Sequence, residues 1–325
     1  MDTTVKFILA IFIGIGGIVT AEVTNAQTYP TRPVRLIMPY PPAGDADALG
    51  RIIGAPLSET LGRSVVVENR GGAGGNIGAE IAAKSPPDGH TLLLINVGHA
   101  FNVSLYSKLS YDLVRDFAPV SLIASTPNIL VTHPSLPVKS VKDLIALAAA
   151  HPGQLDYVSG GNGSPAHLAA VLFISMSGVK MNHISYKGGG PSVIAMIGGE
   201  GSMGFPTMPT VIQHVKSGKL RGIAVSSARR SSSMPDLPTV SEAGVKGYEV
   251  DVWYGLLVPT GTPNEVISRL NVDSVRALKR QDVKQRLDVA GLEPNGTTPE
   301  QLATHIRSEI AKWTKVVKAS GARAD

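Results

Sequence analysis

Apolar and polar positions along this chain repeat one pattern, an apolar run, a turn and an amphipathic stretch, which reads as strand, loop and helix. At residues 34–51, VRLIMPYPPAGDADALGR, the consecutive apolar Leu36, Ile37 and Met38 have the character of a parallel strand buried on both faces. Pro39, Pro41 and Pro42 cannot continue its hydrogen-bond ladder, so the strand ends at Met38. Ala43, Gly44 and Asp45 turn the chain into a helix on which Ala48, Leu49, Ile52, Ile53, Leu57 and Leu61 recur at helical spacing, with Pro56 as a kink or restart. Val65, Val66 and Val67 predict the next strand. Residues 69–78, NRGGAGGNIG, miss the spacing of a dinucleotide fingerprint and read as a tight loop with positive φ angles. A helix over 77–84, a turn over 86–89 and a strand over 91–95 complete a doubly wound half.

The pattern then repeats. Residues 96–102 are expected as a loop at the same carboxyl edge, where Asn96, His99 and Asn102 either face a ligand or satisfy the loop's own backbone. Strands over 117–124 and 128–132, separated by Ser125, Thr126 and Pro127, mark a first crossing between domains. Ser140 and Asp143 form a capping box for a helix over 141–150, followed by a strand over 155–158. Residues 159–168, SGGNGSPAHL, repeat the opening loop: a strand end, a glycine turn, and Pro165 at the first helical position. Strands over 182–185, 203–205 and 221–225 alternate with helices beginning in the 186–191 turn and at 209; Thr207 lies between strand and helix and joins the candidate ligand contacts. Residues 250–258 are the return crossing, on which Trp253 either walls a cleft or only packs the strand. Helices close the chain near 263–280, 283–290 and 299–318, the last capped by Thr298. The expected organisation is therefore a first lobe over 27–125, a second over 126–249, and residues 250–325 returning to complete the first.

Composition narrows the setting. A chain of 325 residues exceeds what one core usually serves, and 43% hydrophobic with 17% charged residues is ordinary for a globular protein. Residues 1–26 stand apart: Lys6 precedes an uncharged apolar run over 7–19 and a polar stretch ending Thr24-Asn25-Ala26, the layout of a secretory signal peptide cleaved after Ala26. That run is short for a membrane span, which needs roughly 18 apolar residues, and no later segment reaches that length. With no cysteine there are no disulfides, thiolate metal sites, cysteine nucleophiles or lipidated N-terminal cysteine, so export implies a free periplasmic or secreted protein. The net charge of +5 becomes +6 without the leader, whose Lys6 is outweighed by Asp2 and Glu22, and favours anionic ligands. Nucleic acid is not among them, because the basic residues are scattered and no aromatic-interleaved stripe appears.

Both glycine turns lead into helix starts, whose first N–H groups and positive dipole end suit an anion; two such cradles, one per domain, would hold a carboxylate between them. A catalytic set is lacking. Ser164 and His167 lie three apart at a helix start, but the surrounding turn is no nucleophile elbow, and such a serine caps its helix. The eight histidines show no metal-ligand spacing. Asp45 and Asp47 read as acid/base carboxylates or as helix-start caps. A secreted hydrolase is thus the remote alternative, and neither a metal nor a cofactor is expected.

The stretches YPTRPVRLIMPYPPAG with Asp47 and Arg51, VVVENRGGAGGNIGAE, SPPDGHTLL, LSYDLVRDFAPVSLIA, SGGNGSPAHLA, YKGGGPS, PDLPTVSEAG and GYEVDVWYGLLVPTGTP, in this order, make the chain resemble the periplasmic solute-binding receptors of tripartite tricarboxylate transporters, the Bug receptors. The resemblance spans nearly all of residues 27–325. It implies an α/β, two-lobed type II periplasmic-binding-protein fold, monomeric, with a small carboxylate, a di- or tricarboxylate or an aromatic acid, captured in the cleft and presented to integral-membrane permease subunits. A binding protein feeding a sensor kinase is the alternative. By resemblance the ligand carboxylate sits against Tyr40, Ala43, Gly44 and Asp45 in one lobe and Gly160, Gly161, Gly163 and Ser164 in the other. Two departures stand out. Ala43-Gly44 replaces the family's usual Gly-Gly, which restricts φ and implies a methyl toward the ligand, so ligand preference should depend on Ala43. Gly201-Ser202 replaces the common Val-Asp, which removes an acid; if that acid meets a ligand amine, amino-acid ligands are disfavoured.

Overall fold

The computed structural model describes residues 29–320 and residue 323, so the signal-peptide reading falls on residues outside the described ones. Strand β1 (Val34–Met38) is buried along nearly its whole length, as its unbroken apolar run requires, and pairs in parallel with β2 (Val65–Asn69) and β3 (Thr91–Asn96). Helix α1 (Asp45–Leu61) buries Leu49, Ile53, Leu57 and Leu61 against this sheet, continues through Pro56, and stops at Gly62, a left-handed C-cap. After β2, Gly72, Gly74 and Gly75 take positive φ through a 3-10 turn (Ala73–Gly75) that leads into α2 (Asn76–Ala83).

Residues 97–105 correct the sequence reading. They form α3 (Val97–Leu105), not a loop, because Asn96 caps the helix: its side chain accepts the Gly98 N–H at 2.9 Å while His99 Nδ1 accepts the Asn96 N–H at 3.3 Å. This is a capping box with histidine where glutamate or glutamine usually stands.

Strand β4 (Phe117–Pro127) stays in the first sheet, and one residue later β5 (Ile129–Thr132) belongs to a second. The second sheet is built by β5, α4 (Val141–Ala150), β6 (Asp156–Ser159), α5 (Pro165–Ser177), β7 (Asn182–Ser185), α6 (Gly189–Ile197), β8 (Met203–Gly204), α7 (Met208–Lys216) and β9 (Arg221–Val225). Its strand order is β7-β6-β8-β5-β9. Strand β10 (Asp251–Pro259) then returns to the first sheet between β3 and β4, antiparallel to both. Helices α8 (Asn264–Lys279) and α9 (Gln281–Val289) follow, then a two-residue edge strand β11 (Glu293–Pro294) and α10 (Pro299–Ser320). The first sheet is ordered β11-β4-β10-β3-β1-β2.

The two passages between sheets are bonded to each other at Asn128 and Ser226. The Asn128 N–H donates to Ser226 Oγ at 2.8 Å, and that hydroxyl donates to the Val250 carbonyl at 2.6 Å. Two α/β lobes joined by paired crossing strands result, with the carboxyl ends of β1, β3, β6, β7 and β8 facing a shared cleft, the place where open α/β sheets bind ligands.

Candidate functional site

Four helices begin at the cleft, and their sequences explain why their first amides are free. In α1, Pro41 and Pro42 contribute no N–H, and the Ala43 N–H is taken by Asp47 Oδ2 at 3.1 Å. The N–H groups of Gly44 and Asp45 find no partner among the described residues. In α5, Ser164 Oγ caps the His167 N–H at 3.3 Å and Pro165 has no N–H, which leaves that of Ala166. In α6 the Gly189 and Gly190 N–H groups are likewise unpartnered. These are the orphan donors expected in the first turn of any helix, here aimed at one place. Thr207 is the N-cap residue of α7 and its hydroxyl lies 3.1 Å from that of Thr210.

The place is a cavity of about 70 Å³ lined by Tyr40, Gly44, Asp45, Asn96, Gly160, Ser164, Ala166, Gly188, Gly189, Gly190, Thr207 and Thr210 among others. It shares Tyr40, Gly160, Ser164 and Gly188 with a wider mouth of about 640 Å³ toward Gly74, Asn162 and Lys187. No lysine, arginine or histidine lines the inner cavity. Each helix N-terminus carries roughly half a positive charge, so backbone dipoles supply its positive field.

Side chains behind the wall fix it in place. The Tyr40 hydroxyl donates to Asn96 Oδ1 at 2.7 Å and the ring meets His99 edge-on. Desolvation first, and the Asp45 charge second, hold the Tyr40 proton well above its ordinary range. The Tyr254 hydroxyl donates to Asp45 Oδ2 at 2.6 Å, and its own pKa is raised by burial and then by Asp45. Beneath the second loop, Ser159 Oγ accepts the Gly161 N–H at 3.1 Å and lies 2.7 Å from His183 Nε2, while His167 Nδ1 accepts the Gly163 N–H at 3.2 Å. His167 and His183 stack 4.5 Å apart; burial lowers their pKa values to about 3 and about 4, so both rings are neutral, and His167 Nδ1 is free to accept.

The lobes meet beside the cavity through glycines. A Cβ on Gly98 would lie 2.5 Å from the Gly163 carbonyl, one on Gly74 2.6 Å from the Asn162 carbonyl, and one on Gly163 would overlap Asn102 Oδ1. Phe101 of α3 packs edge-on against His167 of α5.

The structure sorts the sequence candidates. Tyr40, Gly44, Asp45, Asn96, Gly160, Ser164 and Thr207 line the inner cavity, and Gly161 lines the mouth. Gly163 lies at the lobe seam. Ala43 does not line the inner cavity but an adjoining outer hollow with His214, which shares Gly44, Asp45, Gly190 and Thr210 with it; Ala43 sits at φ 64 with its amide occupied by Asp47. His99 is fully buried behind Tyr40 and serves the capping box. Trp253 faces away from the cleft: its indole N–H donates to Glu309 Oε2 at 3.0 Å and its ring packs against His305. Strand alternation turns its neighbour Tyr254 toward Asp45 instead, a residue the sequence reading passed over although period-two alternation makes only one of the pair available to the cleft. The Gly188-Gly189-Gly190 turn was also missed as a third cradle; its glycines and Pro191 before a helical stretch are the signal that would have found it. Ser202 lies at the opposite, amino edge of the second sheet, where its N–H donates to the Asp156 carbonyl at 2.9 Å, so an acid there would not reach the cleft. Among the described residues no cluster of histidine, aspartate and glutamate could hold a metal, and no helix is long and apolar enough to cross a membrane.

Comparison with known proteins places this geometry. A family model described as tripartite tricarboxylate transporter family receptor matches residues 49–322. Protein BugT of Bordetella pertussis is 38% identical over 323 residues, covering 99% of this chain and 98% of its own. The structure of R. palustris Rpa4515 with adipate is 39% identical, with a TM-score of 0.87, covering 91% of this chain and 99% of that one. MatC from Rhodopseudomonas palustris with bound malate is 31% identical, with a TM-score of 0.84, covering 89% and 100%. Relatives of this kind are periplasmic binding proteins, not enzymes.

Proposed function

The chain belongs to the tripartite tricarboxylate transporter receptor family, and from that premise we propose that it captures a small carboxylate between its lobes and delivers it to an integral-membrane permease. As a solute-binding protein of the Bug type it carries no catalytic set. The observation that supports the ligand class is the convergence of five unpartnered amides, of Gly44, Asp45, Ala166, Gly189 and Gly190, on one cavity without a cationic side chain. A carboxylate leaving water needs its lone pairs filled, and hydrogen bonds to a charged group contribute roughly 1.5–3 kcal/mol each. Three or four such bonds, less the cost of association, suffice for micromolar affinity, about −8 kcal/mol.

Tyr40, Asn96, Thr207 and Ser164 give the cavity its shape; Gly160, Gly161 and Gly163 let the second loop approach closely. The lobes are the two sheets with their helices, hinged at Asn128 and at residues 226–250. A ligand touching both stabilises the closed form by its differential affinity, and the closed outline is what a permease can select. The relatives solved with adipate and malate support dicarboxylates as the first compounds to test. Calorimetric titration with such a panel should give at least one sub-millimolar ligand; a uniformly silent panel would remove the main support. Uptake of that ligand by cells should require both this chain and the permease subunits.

A further inference from the structure

Asp45 is the one acid lining a cavity that otherwise offers positive helix ends. Two of the roughly four lone-pair positions of its carboxylate are filled, Oδ2 by the Tyr254 hydroxyl at 2.6 Å and Oδ1 by the Ala46 N–H at 2.8 Å. The hydroxyls of Tyr40, Thr210 and Ser192 are committed elsewhere: Tyr40 donates to Asn96 Oδ1 at 2.7 Å, Thr210 to the Thr207 carbonyl at 2.8 Å, and Ser192 to the Gly189 carbonyl at 2.8 Å, while Ser164, on the α5 side, accepts the His167 N–H and keeps its own proton to donate. The inner wall therefore presents free backbone donors from three helix starts and, on the α1 side, a surplus of side-chain acceptors. An anionic group placed against α1 meets the Asp45 charge, which offsets the positive end of that helix. Placed against α5 and α6 it meets the free amides of Ala166, Gly189 and Gly190 with no acid among them.

We propose that Asp45 sets the ligand class: the carboxylate docks on the α5 and α6 amides, and the ligand carries a hydrogen-bond donor, a hydroxyl or an ammonium, that the free lone pairs of Asp45 accept. A hydroxyl there can also accept from the Gly44 or Asp45 amide. Amino-acid ligands are not disfavoured by Ser202, since that position lies at the far edge of the second sheet. This inference rests on the carboxylate-receptor reading and narrows it.

The test is titration of the full chain with two matched sets, succinate, malate and aspartate, and adipate, 2-hydroxyadipate and 2-aminoadipate, against wild type and Asp45→Asn. In wild type the hydroxyl or amino member of a set binds at least about tenfold tighter than its plain parent, the value of one hydrogen bond to a charged group. In Asp45→Asn, which can still accept from Tyr254, that ratio collapses for an ammonium and shrinks for a hydroxyl, so the two donors are told apart. The plain diacid binds as well as or better than before. Should the asparagine variant fold poorly by thermal melting, Asp45→Ser serves the same comparison. A ratio that Asp45→Asn leaves unchanged, or plain diacids binding tightest to wild type, overturns the proposal. If no member of either set binds wild type, the carboxylate-receptor reading itself fails and this inference with it.

Discussion

Ala43 holds a left-handed backbone, φ 64, that costs a non-glycine L-residue roughly 1–2 kcal/mol. Replacing it by glycine relieves that strain but loosens the unfolded chain by about 0.4–1 kcal/mol. Ala43→Gly should therefore raise the free energy of unfolding by about 0.5–1 kcal/mol in chemical denaturation, with ligand preference unchanged, because its methyl is exposed in the outer hollow. A shifted preference without a stability gain would restore the reading that its methyl meets the ligand. At this scale the sequence spoke unevenly. Gly44, Ser164 and Pro165 were legible because helix starts have local chemistry. Tyr254 was not, since its partner Asp45 lies 209 residues away and only the sheet order brings them together. His99 was left open between ligand and backbone for a local reason: a buried histidine closing a capping box looks, in sequence, like any polar residue at a strand end.

Helices and strands were read closely wherever a proline, a glycine or a cap marked their ends: β7, β9 and α4 fall where expected. Helix α3 escaped because its first turn, with a glycine and a histidine, lacks the usual acidic cap partner. Strand β11 is two residues long and held only by pairing to β4, so no periodicity could announce it. Two N-caps separate stability from binding. Ser140 caps α4 by accepting the Asp143 N–H at 3.1 Å, far from the cleft, whereas Ser164 caps α5 at the cavity wall. Each mutation to alanine should cost about 1 kcal/mol of stability. Only Ser164→Ala should also weaken ligand affinity in calorimetry; equal affinities for both variants would take Ser164 out of the site.

For the whole molecule, buried neutral histidines set the response to acid. Burial lowers His99 to about 4, His183 to about 4 and His167 to about 3, the last also through the neighbouring His183. Unfolded, these rings titrate near 6.5, so between about pH 6.5 and 4 the unfolded chain binds more protons and acid favours it. Asp251 acts in the opposite sense: burial and then Glu249 raise it to about 6, so the folded chain takes up a proton as pH falls through that value. Three histidine shifts outweigh one aspartate. The free energy of unfolding should fall steadily from pH 7 to 4.5, and a flat or rising profile would mean the histidines are solvated. The two-lobed plan itself was readable because its two βα series share one vocabulary of loops; the seam of Gly74, Gly98 and Gly163 was not, because close approach between lobes has no sequence pattern. The decisive measurement is a crystal structure of the protein with the ligand it retains through native purification. It should show a carboxylate in the inner cavity within hydrogen-bond distance of the Ala166 amide and at least one of Gly44, Asp45, Gly189 and Gly190. A ligand seated elsewhere, or a cavity holding a group with no negative charge, would contradict the carboxylate clamp.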